Sequence, residues 1–232
     1  MRLRTTTVLS LSALAVLALT GCSTGNADSI DPTSSTTVSV RPDGESARVS
    51  APLSSAALAK RLLDESDLGE GYTRTPQRPA QHDDVTVIGC PKLEKLGADA
   101  ATGGSLAFPR KAKASFMYVG GRDSDLSEEL YSDTPWTLSR GVEEISDAMV
   151  SCPAYQLVSG SKVIDMSTQR TAAPTLGDEQ WSQLLSYSVD GQRSVVKQTA
   201  IRTGNVLVIV SGSPGLVDAN LEKALDKAQS AF

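Results

Sequence analysis

Three β-rich runs joined by two tight-turn dipeptides close the chain and leave its last third little freedom. They cover about Glu179–Val189, Arg193–Arg202 and Val206–Ser211. Asp190-Gly191 separates the first two and Gly204-Asn205 the last two, both pairs suited to tight hairpin turns. Val206-Leu207-Val208-Ile209-Val210 is continuously apolar, so it reads as a central strand buried on both faces. Ser213-Pro214 then opens a helix whose Val217, Leu221, Ala224, Leu225, Ala228 and Phe232 share one side. That side should lie on the three-stranded meander.

Upstream the pattern alternates between helix and strand. A first helix is predicted over about Leu53–Glu65, capped by Ser54 or Ser55, with Leu58, Leu62 and Leu63 inward. Val85–Ile88 reads as a short strand, and Pro91 opens a helix to about Ala100. In Lys113–Val119 both faces are partly apolar, which predicts a strand covered on each side. After Gly120-Gly121 two helices are expected. The first has an Asp125/Glu128 cap and buries Leu126 and Leu130. The second, from about Pro135 to Val150, buries Leu138, Val142, Ile145 and Met149 and stops at Cys152-Pro153. Tyr155–Val158 and Lys162–Met166 flank Ser159-Gly160-Ser161 as a hairpin. No internal repeat appears. The expected fold is one α+β domain over residues 53–232, an antiparallel sheet of five or more strands with helices packed against it.

The other end of the chain is organised differently. Arg2 and Arg4 precede an apolar or small-residue run from Val8 to Leu19, and Leu19-Thr20-Gly21-Cys22 follows. A positive end held at the cytoplasmic face and a short apolar stretch make an export signal. The run of 12 residues is short of the ~20 that a spanning helix needs. Leu3 separates the two arginines, so the twin-arginine signal is absent. The closing tetrapeptide resembles the lipobox of bacterial lipoproteins. That resemblance implies cleavage after residue 21 and a diacylglyceryl thioether on Cys22, which would hold the chain on the extracytoplasmic side of the cell membrane. The alternative is an ordinary secretory signal with Cys22 incidental. Residues 22–52 are rich in Ser, Thr, Asp and Gly and read as a flexible tether spanning ~30 Å r.m.s..

Charge and cysteine content narrow the function classes. Arg2 and Arg4 are the only charged side chains in the first 21 residues, so the remainder carries 20 basic and 27 acidic residues, a net charge of −7. Such a chain lacks the basic footprint for nucleic acid. It should also be repelled by anionic headgroups, leaving the lipid on Cys22 as its membrane contact. Cys90 and Cys152 remain as an even pair, which outside the membrane forms a structural disulfide. Closing a loop of that length is worth about 4 kcal/mol in the chain-entropy treatment. Redox or zinc chemistry would need Cys-x-x-Cys spacing or more ligands than one His supplies.

No catalytic signature stands out. His82, the only histidine, precedes Asp83 and Asp84 in an expected polar turn, and no Gly-x-Ser-x-Gly occurs. Ser159/Lys162 and Ser194/Lys197 match Ser-x-x-Lys, but one spans a hairpin and the other an expected strand, whereas that chemistry needs a helix start. Asp123, Asp125, Glu128 and Glu129 lack the spacing of a calcium loop. Trp136 and Trp181 could line a groove or lie in the core. No metal or cofactor is expected.

Four features stand together in the mature chain: Leu62–Tyr72 (LLDESDLGEGY), the Cys90/Cys152 pair, Leu176–Trp181 (LGDEQW) and Ile201–Gly212 (IRTGNVLVIVSG). By these the chain resembles a group of actinobacterial extracytoplasmic lipoproteins and, more distantly, the extracellular sensor domain of a mycobacterial serine/threonine kinase. The kinase domains resemble a two-disulfide frame, and this chain has cysteines for one. The resemblance implies binding of an envelope ligand or protein partner and carries over no catalytic residue, so a non-enzymatic, sensor-like binding module is expected. An assembly lipoprotein acting through one surface and a cell-envelope hydrolase with an unfamiliar carboxylate site are the alternatives.

Overall fold

The computed structural model describes residues 51–77, 85–119 and 124–230. Among them are nine strands and six helices. In chain order these are α1 (Ser55–Ala59), α2 (Glu65–Leu68), β1 (Tyr72–Arg74), β2 (Val85–Ile88), α3 (Pro91–Leu96), α4 (Ala98–Thr102), β3 (Lys111–Tyr118), β4 (Asp125–Ser132), α5 (Pro135–Ser151), β5 (Ala154–Ser159), β6 (Lys162–Arg170), β7 (Glu179–Val189), β8 (Gln192–Thr203), β9 (Val206–Gly212) and α6 (Pro214–Gln229). The strands form one antiparallel sheet in the order β1-β3-β4-β9-β8-β7-β6-β5-β2. The expected α+β class, meander and terminal helix are all present. At the β7–β8 turn Asp190 and Gly191 both have positive φ (51° and 80°), the conformation that turn chemistry anticipates.

Helices pack on opposite faces of opposite halves. On the back face α1, α2 and α6 cover β3, β4, β9 and β8, burying Leu58, Leu63, Leu126, Leu130, Val208 and Val217 among others. On the front face α3, α4 and α5 cover the sheet from β9 to β2, burying Leu93, Met149, Tyr155, Leu157 and Leu138. Among the described residues each face is therefore bare at the sheet edge where the other is covered. β9 lies where the two layers overlap, and Val206–Val210 are all buried, as the apolar run predicts.

Four sequence expectations change. The predicted helix over Leu53–Glu65 is two short helices. Asp64 caps α2 with a reciprocal capping box, and the Leu63 N–H is taken by the Glu128 carboxyl (2.6 Å) instead of a helical carbonyl. The predicted Pro91–Ala100 helix breaks at Gly97, whose φ of 91° is outside the helical range. The predicted helix after residue 124 is strand β4, paired along its length with β3 and β9. Its Leu126 and Leu130 are four apart, a spacing that puts them on one face of either a helix or a strand. Finally, among the described residues β3 is covered on its back face only: Ala114 and Phe116 are buried, while Met117 is 55% exposed on the front. Cys22, the segment 1–50, Gly120-Gly121 and Phe232 lie outside the described residues.

Candidate functional site

The bare front of β3 and β4 is the floor of a cleft of about 760 Å³. The pairing of these two strands sets Lys113 opposite Glu129 and Lys111 opposite Tyr131. Lys113 Nζ lies 2.5 Å from Glu129 Oε1. The Tyr131 hydroxyl donates to Glu129 Oε2 and accepts from the Leu106 N–H (2.8 Å). Tyr131 is fully buried, and burial, followed by the Glu129 charge, pushes its phenol well above its ordinary range. The phenol thus stays protonated and holds the carboxylate in place. Phe108 meets the Tyr131 ring edge-on at 5.6 Å.

The walls come from two segments. Thr75–Gln77 follow β1, and the Gln77 amide donates to the Lys113 carbonyl. Asp99, Gly104 and Ser105 form the opposite wall at the end of α4. Gly103 ends that helix with a φ of 68°, and an added Cβ would fall 2.7 Å from Leu185 Cδ1. Its carbonyl accepts from Gln198 Nε2 (3.0 Å), which ties the wall to the meander. The cleft presents Lys111 and Lys113, Asp99 and Glu129, and the apolar side chains of Met117 and Pro76. A mixed lining of this kind suits a ligand with donors, acceptors and a short apolar part.

Two further cavities touch the 99–106 segment. One of about 40 Å³ lies between α5 and the sheet beside Trp181, Ile145 and Ile209, with room for a few waters and no more. The other, of about 260 Å³, lies between Leu96, Phe108 and Gly141. Neither has the charged floor of the larger cleft.

The residues singled out from sequence are dispersed. Cys90 and Cys152 are joined (S–S 2.07 Å, Cα–Cα 5.6 Å), linking the start of α3 to the end of α5. Ser159 and Lys162 flank the β5–β6 turn. Ser194 and Lys197 lie on opposite faces of β8, where Lys197 pairs with Asp218 of α6 (2.5 Å). Asp125 and Glu128 do not cap a helix but sit in β4, where Glu128 faces back and Glu129 forward. Trp136 is 67% exposed under the Arg140 guanidinium, and Trp181 is half-buried. Among the described residues no group of three or more His, Cys, Asp or Glu could hold a metal ion. Cys22, His82, Asp83, Asp84 and Asp123 lie outside the described residues.

Glu128 has the most perturbed carboxyl. It is fully buried among the back-face leucines, and burial raises its pKa to about 8. Its Oε2 accepts from Leu63, while Oε1 has no partner among the described residues. It faces away from the cleft. At the end of the sheet that holds the β8–β9 turn, Arg202 binds Asp178 and Glu179 (both 3.0 Å). The guanidinium and the Ser139 hydroxyl hold the Glu179 carboxyl below its ordinary value. Reading β4 as a helix hid the cleft from sequence, since Lys113, Glu129 and Tyr131 converge only when β3 and β4 pair.

No protein-family profile matches the chain, and no curated protein matches it in sequence. Among solved structures, the fold is similar to the extracellular domain of the kinase PknH from Mycobacterium tuberculosis. The TM-score is 0.57 at 13% identity, over 76% of this chain and 97% of that one. At this identity the likeness concerns the fold, and it agrees with the distant similarity read from the motifs. An uncharacterized protein from Mycobacterium smegmatis gives a TM-score of 0.39 at 12% identity, over 71% of this chain and 93% of that one, too low to carry an argument.

Proposed function

We propose that this protein is an extracytoplasmic, lipid-anchored binding module that seats an envelope ligand in the front cleft. The observation that carries the reading is the floor of that cleft, where Lys113, Glu129, Tyr131 and the Leu106 N–H form one connected polar network beneath an open space of about 760 Å³. Sensor-like extracytoplasmic use draws support from the shared fold with a kinase extracellular domain, and anchoring from the lipobox at Cys22. Binding without catalysis is favoured because the carboxyl with the raised pKa, Glu128, is sealed on the back face.

The test is a thermal-shift and native mass-spectrometry screen of the full chain against envelope lipids, glycans and peptidoglycan fragments. A ligand that stabilises the protein should lose its shift in Ser115→Trp, which fills the cleft floor, while that variant melts as the parent does. A shift that survives in Ser115→Trp puts the seat elsewhere. Cys22→Ala should release the protein from the membrane without unfolding it, and continued membrane binding after signal cleavage would refute the anchor.

A second reading, an assembly lipoprotein acting through a protein partner, has one observation in its favour. Ile88, Val163 and Val195 are 48%, 50% and 39% exposed on the bare back face of β2, β6 and β8. Crosslinks from position 163 to a partner, with no ligand from the screen, would favour it.

A further inference from the structure

The end of the sheet where the described chain begins also carries an exposed tryptophan and several cations. The Ala51 carbonyl accepts from Asn205 Nδ2 in the β8–β9 turn (2.7 Å), and the Leu53 N–H donates to Ser132 Oγ at the end of β4 (2.8 Å). Ser132 Oγ in turn donates to the Asn205 carbonyl (2.7 Å). Trp136, on the first turn of α5, follows Ser132 by four residues, a chain reach of about 14 Å at most. The point where residues 51–53 join the sheet and the exposed indole thus belong to one end of the domain.

That indole has no core function. It is 67% exposed, and the Arg140 guanidinium stands 4.9 Å from its ring centre. Arg110, just before β3, lies 3.6 Å from Asp133 and keeps its own side chain 43% exposed, and Lys111 beside it is exposed. Among the described residues Asp133 pairs with Arg110, and Asp178 and Glu179 with Arg202, so the cations of this end without an acidic partner are Arg140 and Lys111, and Glu143 and Glu144 are exposed about a turn beyond Arg140 on α5. A tryptophan ring suits the level of lipid headgroups, one side apolar and one edge able to donate. Arginine and lysine beside it suit anionic phosphates.

We infer that this end, with Trp136 at its centre and Arg140 and Lys111 around it, docks on the headgroup surface of the membrane. The inference rests on the anchor at Cys22. Twenty-eight residues lie between Cys22 and Ala51, so an anchored domain samples the bilayer at an effective concentration on the order of millimolar. A contact too weak to hold a free domain is then populated. The chain's overall negative charge opposes a broad contact with an anionic surface, so the contact is confined to the indole and the cations beside it, Arg140 and Lys111. This refines the expectation that the lipid is the sole membrane contact. Docking in this way fixes one end of the sheet at the bilayer and sets the orientation of the front cleft.

The experiment uses the full-length protein purified from membranes with its processed N-terminus. It is placed on vesicles of phosphatidylcholine and phosphatidylglycerol whose acyl chains carry bromine, a quencher of indole fluorescence. Trp136→Phe, an exposed change, removes one of the chain's two tryptophans, so the difference between the two proteins isolates Trp136 emission. Docking predicts that Trp136 emission falls by at least half on brominated vesicles. High salt, or vesicles of phosphatidylcholine alone, should restore most of it. Protein that sediments with the vesicles while Trp136 stays unquenched overturns the docking, leaves the anchor standing and gives the patch to a protein partner. Protein that does not sediment at all overturns the anchor, and the docking with it.

Discussion

The two helical layers of this domain solve the same packing problem by different means. The back layer is built on α6, whose Val217, Leu221, Ala224, Leu225 and Ala228 give one apolar stripe along β9 and β8. It is rich enough in leucine to hold the fully buried Glu128 at its centre. The front layer over β2, β5 and β6 rests on the short helices α3 and α4 and on the last turns of α5, and it carries the Cys90–Cys152 bond. Short helices bury little surface and leave many terminal groups to satisfy. The covalent link ties these short helices to the end of α5, the long amphipathic helix of the same layer. The disulfide thus lies in the half whose cover over the sheet edge is made of short helices.

The largest expected effect breaks the staple. Cys90→Ala with Cys152→Ala opens a link between residues 62 apart and should cost about 4 kcal/mol. Thermal melts with and without reductant check this, and hydrogen exchange should show α3 and α4 opening first. A melt indifferent to reductant would mean the front layer holds itself together. Next in size is Leu130→Ala, which removes a fully buried side chain from the back layer and should cost about 3 kcal/mol by chemical denaturation. A much smaller loss would show that the back core collapses around the gap.

Glu128 sharpens the contrast further. Its folded pKa of about 8 lies above the ordinary 4.5, so the native state keeps a proton that the unfolded chain releases. The stabilisation is complete below about 4.5 and fades as pH rises to about 8. The slope approaches ~1.4 kcal/mol per pH unit in that window. Glu128→Gln should flatten the dependence and gain stability at alkaline pH, read as melting temperature against pH. An unchanged profile would place the titration elsewhere. The smallest effect concerns Lys227, which pairs with Asp64 (2.8 Å) and also with Asp67. Lys227 and Ser66 hold the Asp64 carboxyl well below its ordinary value of 3.8, so this contribution is present above that value and is lost as the solution becomes more acid. Asp64 is half exposed, so Lys227→Met should cost under ~1 kcal/mol near neutrality, measured by denaturant midpoint.

Much of this architecture is legible in the residues. The meander has its turns at Asp190-Gly191 and Gly204-Asn205, α5 buries the predicted Leu138, Val142 and Met149, and the cysteines pair. The candidate site is not. The Leu126/Leu130 spacing fits two periodicities, and Glu128 interrupts the alternation that would have marked a strand. Reading a helix there separated Lys113 from Glu129, which the sheet sets face to face. The Leu63 N–H, which a continuous helix would have given to a carbonyl four residues back, goes instead to Glu128 across 65 residues.

Elements with local signals can be read from the residues alone: a turn whose backbone needs positive φ, a helix stripe at one spacing, a continuous apolar strand, a cysteine pair. These depend on neighbours within a few residues, so no partner has to be known. Long-range packing sets which face each half of the sheet leaves bare, which carboxylate is buried and which lines the cleft, and that Trp136 stands at the end where residues 51–53 join the sheet. Those outcomes depend on strand pairing between distant segments. A single step along β4 moves a side chain from the core to the cleft, and nothing local distinguishes Glu128 from Glu129.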